Sequence, residues 1–516
     1  MRRWSFLAAV LVAVAAAALT RPLVAGKAGE GTLELTIVDQ QTRQPIACRV
    51  HLVNAAGVPR RPLKCPFWYD HFVCPGQVSL RVPRGNYTFL IERGGEYADA
   101  TGYFTINDFA DDRKTAELKR ACDMASEGWW AADLRVRRVP RDIELLMQAE
   151  DLHLVVDLPP ASEEPEAVKR FKPGSMEFEG QRYCQLLEPQ DKTTGGRLAI
   201  DLGAGFDKDG EGGQAAAGEN AAEKTSDAQP AASAQASDED RGRWWYDVDN
   251  PAAPELPVWL ALGQVDSLSL LGGELLHGKY EPNKKSVRKR ADDSRAAAEL
   301  AQQVYFQILE CGLRLPPSAG SESGVSANPV GYDRMYAWVD KEDFNRDRWW
   351  RAVRLGRVTV TNGPLIRPTA GGRLPGHEFQ LLAGQLELDV AMNLTTRDPI
   401  TYLELIKNGR TAASIRLSDW AKTGHFPAVR FNEPGWMLVR VVTDVQQTYR
   451  AALSAPWYVA GTGGPRISRK AVHFFLDRLK PLAAATGSGD KATVSPAQLA
   501  AAERFWTELL AKANAD

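Results

Sequence analysis

Three charged residues, Asp133, Arg135 and Arg137, share one short segment of the chain, residues 128–137. The apolar residues around them favour an extended strand, on which residues two apart point to the same face. Histidines at positions 135 and 137 would direct two imidazoles at one metal ion, but a guanidinium stays protonated and offers only donors. With Arg138 beside them, the two arginines therefore predict a site for a small anion such as phosphate, sulfate or carboxylate.

Two other interpretations of this segment stay open. Arg135 and Arg137 could pair with Asp133, Asp157 or Glu150 in a network that stabilises the fold and binds nothing. The chain also has 14 tryptophans, whose rings could stack on sugars, although large aromatic residues mostly fill cores. A carbohydrate is therefore a candidate ligand beside an anion.

This strand and three later segments together carry a resemblance to a known family. Residues 142–153 follow the strand, residues 316–324 form a segment rich in serine and glycine, and residues 360–365 include Thr-Asn-Gly-Pro. In this order they resemble the polymerase and histidinol phosphatase (PHP) superfamily, in particular its secreted branch similar to the CehA and McbA metallohydrolases. The resemblance implies a distorted (β/α)7 barrel with its active face at the C-terminal ends of the strands.

The positions at which such relatives gather metal ligands differ in this chain. Relatives have histidines where this strand has Arg135 and Arg137, Asn-Asn-His near residues 272–274, which are Gly-Gly-Glu here, and Asp-x-His near residues 321–323, which are Ser-Glu-Ser here. Three ligand clusters have thus lost histidine. We therefore expect a non-catalytic or catalytically impaired relative of the metallohydrolases, with no catalytic residue and no cofactor.

The alternative is an active hydrolase of phosphoester, ester or amide bonds with a rebuilt site for a divalent metal. Two fixed positive charges count against it, since each like-charge contact near 4 Å costs on the order of 4 kcal/mol at an effective dielectric of about 20. Its ligands would be the carboxylates and histidines of this region: Asp133, His153, Asp157, Glu274 and His277.

The elements that position these residues predict a multidomain chain of the α/β plus all-β class. Alternating runs between Gly, Pro and Asn predict an N-terminal β-sandwich over residues 31–118, similar to carboxypeptidase-regulatory-like modules. A strand and helix rhythm follows over residues 119–365, the region of the PHP-like barrel. Alternation returns in a C-terminal β-sandwich over residues 366–462, and terminal helices are expected over residues 463–516.

Two local signals in the C-terminal part are specific. Residues 407–410, Lys-Asn-Gly-Arg, predict a hairpin turn between two strands. Ser495 followed by Pro496 and Gln498 predicts the start of a helix, with an N-cap, a first-turn proline and a capping-box partner.

Two segments are expected to lie outside the folded parts of the chain. Arg2 and Arg3, an apolar run to about residue 19 and then small residues predict a signal peptide over residues 1–25. The protein is then exported to the periplasm or the extracellular space and has no integral membrane span after cleavage; an uncleaved anchor is the alternative. Residues 207–242 have no aromatic and no large aliphatic side chain, so we expect a disordered insertion in the barrel.

Overall charge narrows the class of partner. The chain has 63 basic and 65 acidic residues, a formal net charge of -2. No global field therefore attracts nucleic acid, and a small ligand is the expected partner. The oligomeric state stays open.

Other residues with chemical potential are expected to be structural. His51 and His71 are far apart in sequence and have no paired partner, so we expect packing or surface histidines. Cys65 and Cys74 could close one loop, and Cys311 lies in a helical pattern that predicts a buried thiol.

Overall fold

The structure, a computed structural model, describes residues 29–160, 172–188, 197–203, 206, 243–275, 284–381, 384–485 and 494–516. The signal peptide expected over residues 1–25, the insertion expected over residues 207–242 and His277 lie outside the described residues. The described chain is rich in β-structure and combines all-β parts with a part in which strands and helices alternate. Its class is therefore α/β plus all-β. None of the described helices is both long and apolar enough to cross a membrane.

Residues 30–118 form two sheets around one apolar core. The strands are β1 (Glu30–Asp39), β2 (Cys48–Asn54), β3 (Phe67–Trp68), β4 (His71–Cys74), β5 (Gln77–Pro83), β6 (Gly85–Glu92), β7 (Ala100–Ile106) and β8 (Asp111–Leu118). One sheet has the order β5-β1-β8 and the other the order β3-β4-β2-β6-β7. Leu33 and Ile37 of β1 pack with Val50, Phe72 and Ile91 of the second sheet, because alternate residues of a strand face the same side.

Residues 129–361 combine strands with helices. The strands are β9 (Trp129–Val136), β10 (Leu154–Asp157), β11 (Gly174–Phe178), β12 (Arg182–Leu186), β13 (Arg197–Asp201), β14 (Trp244–Val248), β15 (Ser267–Leu271), β16 (Pro317–Ala319), β17 (Arg334–Trp338) and β18 (Val358–Thr361). The helices are α1 (Ile143–Glu150), α2 (Leu256–Ala261), α3 (Lys284–Glu310) and α4 (Arg346–Arg354).

Two sets of parallel strands meet at the end of β9. Strands β9, β10 and β12 are parallel neighbours, and so are β14, β15 and β16. Beyond β16, Ser323 pairs in parallel with Val136, and the Arg137 N–H donates to the Ser323 carbonyl at 2.8 Å. The C-terminal end of β9 therefore lies against the loop that follows β16.

Large aromatic residues fill much of the core, which limits their availability for a sugar. The largest fully buried side chains include those of Trp245, Trp349, Trp350, Trp457 and Trp506. Each has lost its contact with solvent to the surrounding strands and helices, as large aromatics mostly do. These five rings do not form a surface on which a carbohydrate could stack.

Six of the ten C-terminal strands continue the sheet of β9, and the other four form two separate two-stranded sheets. The ten strands are β19 (Leu365–Ala370), β20 (Glu378–Gln380), β21 (Leu386–Leu388), β22 (Val390–Thr395), β23 (Tyr402–Lys407), β24 (Arg410–Arg416), β25 (Val429–Phe431), β26 (Gly435–Val442), β27 (Ala451–Ser454) and β28 (Trp457–Ala460). The helices are α5 (Leu417–Thr423), α6 (Arg469–Ala485) and α7 (Pro496–Ala511). Pairing of β18 with β27 joins six of these strands to the sheet of β9: β20, β23, β24, β26, β27 and β28. Strands β19 and β22 pair with each other, as do β21 and β25.

Both local signals of this part are confirmed. Lys407 pairs with Arg410, and Asn408 and Gly409 between them have φ values of 47° and 72°, the left-handed backbone that such a tight hairpin needs. At the start of α7, the Ser495 side chain and the Gln498 side chain each accept a hydrogen bond from the other's backbone N–H.

The described cysteines are free thiols. Cys74 lies directly opposite Cys48, because β4 pairs with β2, and it is not bonded to Cys65. Burial raises the pKa of Cys65 to about 11. Cys311 is buried, as its helical pattern predicts.

Candidate functional site

Strand β9 directs Arg135 into the interior of the protein. Its side chain is only 2% exposed and forms an ion pair with Asp247 of β14. The Arg135 Nε lies 3.7 Å from Glu322 Oε1 and 4.0 Å from Asp249 Oδ2. Burial opposes the charged form, but these carboxylates raise the pKa of Arg135 above its usual value. A permanent cation therefore occupies the centre of the candidate site.

Several strands converge on the carboxylate that pairs with Arg135. The Ser267 hydroxyl of β15 donates to Asp247 Oδ1 at 2.6 Å, and the Ser318 hydroxyl of β16 donates to the same oxygen. Asp247 is fully buried, so these donors replace the water that it would bind on the surface. The ion pair thus joins β9 to all three strands of the second parallel set.

The carboxylate of Asp133 is saturated with hydrogen bonds. Its Oδ1 accepts from the backbone N–H of Arg135 and of Ser321, both at 3.0 Å. Its Oδ2 accepts from the Ser321 hydroxyl at 2.5 Å and from the Gly331 N–H at 2.7 Å. Burial raises the pKa of Asp133, partly offset by these donors. With two bonds to each oxygen, its lone pairs serve the fold and not a metal.

Residues 320–324 form a loop that lies flat on β9. A Cβ atom at Gly320 would lie 2.7 Å from the Cβ of Arg135, and one at Gly324 would collide with the Arg137 carbonyl oxygen. Between them, Glu322 has φ 54°, a left-handed backbone that residues other than glycine rarely adopt. The two glycines allow the close approach, and Glu322 directs its carboxylate at both arginines.

Replacing Gly324 with alanine is expected to loosen this loop from β9. The residue has φ +107°, so we expect a loss of about 3 kcal/mol, from left-handed strain and from overlap with the Arg137 carbonyl. Hydrogen exchange of the Arg137 amide, which bonds to Ser323, measures this loss. Gly464→Ala is the control, because Gly464 has φ +87° with no atom near the added Cβ and should lose only about 1 kcal/mol at its own turn. Equal losses would show that the approach to β9 is not tight.

Arg137 and Arg138 lie where β9 ends and the site opens. The Arg137 Nη1 donates to the Pro159 carbonyl at 2.8 Å, and its nearest carboxylate contact is with Glu322 at 4.0 Å. The half-buried Arg138 guanidinium lies 4.5 Å from the centre of the Trp68 ring. Within the described chain it has no carboxylate partner at ion-pair distance, and burial lowers its pKa to about 10. Arg138 therefore remains a cation at physiological pH.

Asp157 ends β10 beside these arginines, where burial favours its protonated form. The side chain is fully buried, and its Oδ1 accepts from the Arg138 N–H at 3.0 Å. Burial raises the pKa of Asp157 to about 8, although Arg137 and Arg138 oppose the shift. Its Oδ2 has no hydrogen-bond partner among the described residues, and the same holds for the Ser323 hydroxyl and for Arg135 Nε and Nη1. Buried polar atoms without partners point to water, an ion or a ligand.

One of the predicted metal ligands lies away from this cluster. His153 precedes β10 whereas Asp157 ends it, so they are about 13 Å apart along the strand. The His153 ring packs edge-on against Trp130 and Phe344, and burial lowers its pKa to about 4. Glu274 is exposed in the loop after β15. The preceding residue, Gly273, lies against Glu322. The structure thus brings Asp133, Asp157 and the loop of Glu274 to the end of β9, but not His153.

The partners of Arg135 are not among the residues predicted from the sequence. Asp247 and Asp249 flank Val248 and therefore share one face of an extended chain. These two aspartates have the same spacing as Arg135 and Arg137. Two acidic and two basic residues at matching spacing are the sequence signal from which this ion pair could have been predicted. The expected partner Glu150 instead pairs with two other arginines, Arg49 and Arg334.

The Thr-Asn-Gly-Pro segment has a structural role. The Asn362 side chain donates to Asp333 Oδ1 at 3.0 Å and to the Tyr449 carbonyl at 3.1 Å, which fixes the turn between β18 and β19. The segment also lines a cavity of about 400 Å³, open solvent included. Each arginine around that cavity already has a carboxylate partner: Arg49, Arg334, Arg397 and Arg450.

Comparison with known proteins leaves the family of this chain open. No family model and no curated protein matches it. Among solved structures, the Bacillus anthracis TIE protein is 19% identical over 21% of this chain and 19% of that chain, with a TM-score of 0.15. A Streptococcal ancillary pilin is 17% identical over 22% and 37% of the two chains, with a TM-score of 0.15.

A third solved structure, the apo form of Bacteroides uniformis beta-glucuronidase 3, is 9% identical over 81% of this chain and 60% of that one, with a TM-score of 0.16. The chain spans less than two thirds of each of these three proteins. At such TM-scores these likenesses carry no argument. What the protein does has to be argued from the geometry of its own site.

Proposed function

We propose that this protein is an exported, non-catalytic relative of the PHP hydrolases that binds a small anion at the end of β9. In this proposal the two parallel sets of strands form the wall of a distorted (β/α)7 barrel, and Arg135 takes the place of the lost metal. The observation that carries it is the pair Arg137 and Arg138. Neither has a described carboxylate closer than 4.0 Å, and the buried Asp157, which accepts from the Arg138 N–H, lies beside them.

The charges at the centre argue against catalysis with a metal. A divalent ion would enter beside the buried guanidinium of Arg135, and a like-charge contact near 4 Å costs on the order of 4 kcal/mol per unit charge at an effective dielectric of about 20. Two of the acidic residues that could offset this charge are already engaged. Asp247 pairs with Arg135 and accepts from two serines, and Asp133 accepts four hydrogen bonds. The guanidinium of Arg135 already supplies positive charge at this position, so a metal ion beside it is disfavoured.

The mouth of the site favours an anion over a carbohydrate. One face of the Trp68 indole is covered by the Arg138 guanidinium, so that face is not available to a sugar ring. Two guanidinium groups offer forked donors that match carboxylate and phosphate oxygens. Burial raises the pKa of Asp157 to about 8, which favours a carboxylic acid whose O–H an anion can accept. The balanced net charge of -2 favours a small ligand over nucleic acid.

Calorimetric titration with inorganic phosphate, sulfate and acetate at low ionic strength tests the proposal. We expect one anion to bind each chain, and Arg138→Gln to weaken binding about ten- to a hundred-fold, the loss of one hydrogen bond to a charged group. Arg141→Gln removes the same charge nearby from a side chain that is 84% exposed, so it is the matched control and should change affinity less than about two-fold. Equal effects of the two variants would contradict a specific site.

Hydrolysis assays decide between the non-catalytic protein and the alternative with a rebuilt metal site. We expect no turnover of p-nitrophenyl phosphate or p-nitrophenyl acetate in the presence of Mg²⁺, Mn²⁺ or Zn²⁺. Metal-dependent turnover that Asp157→Asn abolishes would overturn the non-catalytic proposal and favour the hydrolase.

A further inference from the structure

His51 and His71 meet in the N-terminal sheet, with an acidic residue between them. Their ring centres are 5.1 Å apart. Asp70 lies 3.2 Å from His51 Nδ1 through Oδ2 and 3.0 Å from His71 Nδ1 through Oδ1. Each of the three residues offers one possible ligand atom, and these three atoms all lie within 4.8 Å of one another. Both imidazoles therefore turn the same nitrogen towards one carboxylate.

The sheet register explains why residues 20 positions apart meet. Strand β2 pairs antiparallel with β4, with Val50 opposite Phe72, and the next step of this register sets His51 opposite His71. Side chains directly opposite each other on antiparallel strands are close neighbours. Asp70 lies in the tight turn that joins β3 to β4, where Trp68 pairs with His71. Two strands and one turn thus hold the three side chains.

A further carboxylate orients one of the imidazoles. Glu92 is fully buried, and its Oε2 lies 3.1 Å from His51 Nε2. The same oxygen accepts hydrogen bonds from the Arg49 guanidinium at 3.1 and 3.3 Å. A histidine that binds a metal through one nitrogen usually donates its other N–H to a carboxylate. His51 has this arrangement, with Glu92 at Nε2 and with Nδ1 directed at Asp70.

We propose that His51, Asp70 and His71 form a site for one zinc-like divalent transition metal ion, bound through both Nδ1 atoms and the Asp70 carboxylate. Imidazole and carboxylate together suit zinc, whereas magnesium and calcium prefer sites made of oxygen alone. Three protein ligands leave one position of a tetrahedral ion for water or for a ligand's acidic group. The ion would fasten the β3–β4 turn to β2.

Partial exposure of two of the three residues agrees with such a site. His51 and Asp70 are 11% and 12% exposed, and His71 is 4% exposed, so an ion reaches them without unfolding the sheet. A set of ion pairs among the same residues is the competing explanation. It requires no metal, and it predicts that adding one changes nothing. The proposal shares no ligand residue with the anion site, although Trp68, which contacts Arg138, lies on the same hairpin as His71.

Equilibrium dialysis of the full chain against zinc, followed by elemental analysis, tests the site. We expect one zinc per chain, and an anomalous scattering peak at the zinc edge between the two Nδ1 atoms and Asp70. His51→Gln, His71→Gln and Asp70→Asn should each weaken binding at least about a hundred-fold, and Glu92→Gln about ten- to a hundred-fold. An excess of Mg²⁺ or Ca²⁺ should not displace the zinc.

His473→Gln is the matched control, because His473 is an exposed histidine of α6, and its zinc content should equal that of the wild type. Circular dichroism of each variant without metal shows whether it folds. If a variant at position 71 does not fold, two other measurements still test the metal site. These are the zinc affinity of Glu92→Gln and the visible absorption of the cobalt-loaded chain. No stoichiometric zinc, a peak elsewhere, or zinc that persists in His51→Gln and Asp70→Asn would overturn the proposal. If the protein binds zinc but no anion, the proposed function is wrong and the metal site stands.

Discussion

Asp247→Asn is expected to destabilise the contact between β9 and β14 by about 3–5 kcal/mol, the usual loss when one partner of a buried ion pair is removed. Arg135 is 2% exposed and Asp247 is fully buried, so water does not replace the lost charge. Asparagine keeps an oxygen that can accept from Ser267 and Ser318, which restricts the change to the charge itself. A guanidinium cannot escape by losing its proton. The folded state therefore keeps an unpaired buried charge, and the free energy of unfolding decreases by the full amount.

Native-state hydrogen exchange at the amides of β9 and β14 measures this loss locally, which is necessary because a chain of several parts does not unfold in one step. Asp201→Asn is the matched control. It removes a carboxylate from β13 of the same sheet, where the pair with Arg243 is 34% and 37% exposed, and it should lose at most about 1 kcal/mol. Similar losses at the two sites would show that water reaches Arg135.

Arg135→Met added to Asp247→Asn should recover most of the stability. Methionine fills a similar volume without a charge, and replacing both members of a buried pair is often neutral or favourable. If recovery is absent, Arg135 stabilises the fold through Glu322 and Asp249 as well, at 3.7 and 4.0 Å. The double variant thus separates the pair with Asp247 from its surroundings.

Local features of the fold could be predicted from the sequence, because their causes are local. The hairpin at Asn408 and Gly409 follows from residues that accept a left-handed backbone, and the start of α7 follows from Ser495 and Gln498. In the same way, strand spacing indicates that Arg135 and Arg137 point to one side. In each case a few consecutive residues contain the whole physical reason.

The partners of those residues could not be predicted, because they depend on which strands become neighbours. Arg135 meets Asp247 from 112 positions away, and only the packing of β14 near β9 brings them together. The separation of His51 and His71 argued against a shared site, yet the β2–β4 register removes that argument. Position in the chain is a poor guide to distance in a sheet.

Asp157→Asn is expected to stabilise the protein at alkaline pH and to have little effect near pH 4. Burial raises the pKa of Asp157 to about 8, compared with about 3.9 in an unfolded chain. The folded protein therefore holds this proton more tightly. Its contribution to stability is fully present below about pH 4 and is lost as the pH rises to about 8. Four pKa units correspond to about 5 kcal/mol, which asparagine should restore because it never ionises.

Hydrogen exchange at β10 measures the stability of Asp157→Asn and of the wild type at pH 5, 7 and 9. The difference between the two proteins gives the pH dependence due to Asp157, because all other titrating groups are common to both. Asp108→Asn, at an exposed ion pair with Arg84, should show only a small difference at each pH. A flat profile for position 157 would mean that water or an ion stabilises its charged form. Sulfate binding gives a second measure, because the wild type should bind it more weakly above pH 8, where Asp157 loses its O–H donor. The asparagine amide keeps a donor, so the variant should bind sulfate equally at pH 7 and pH 9.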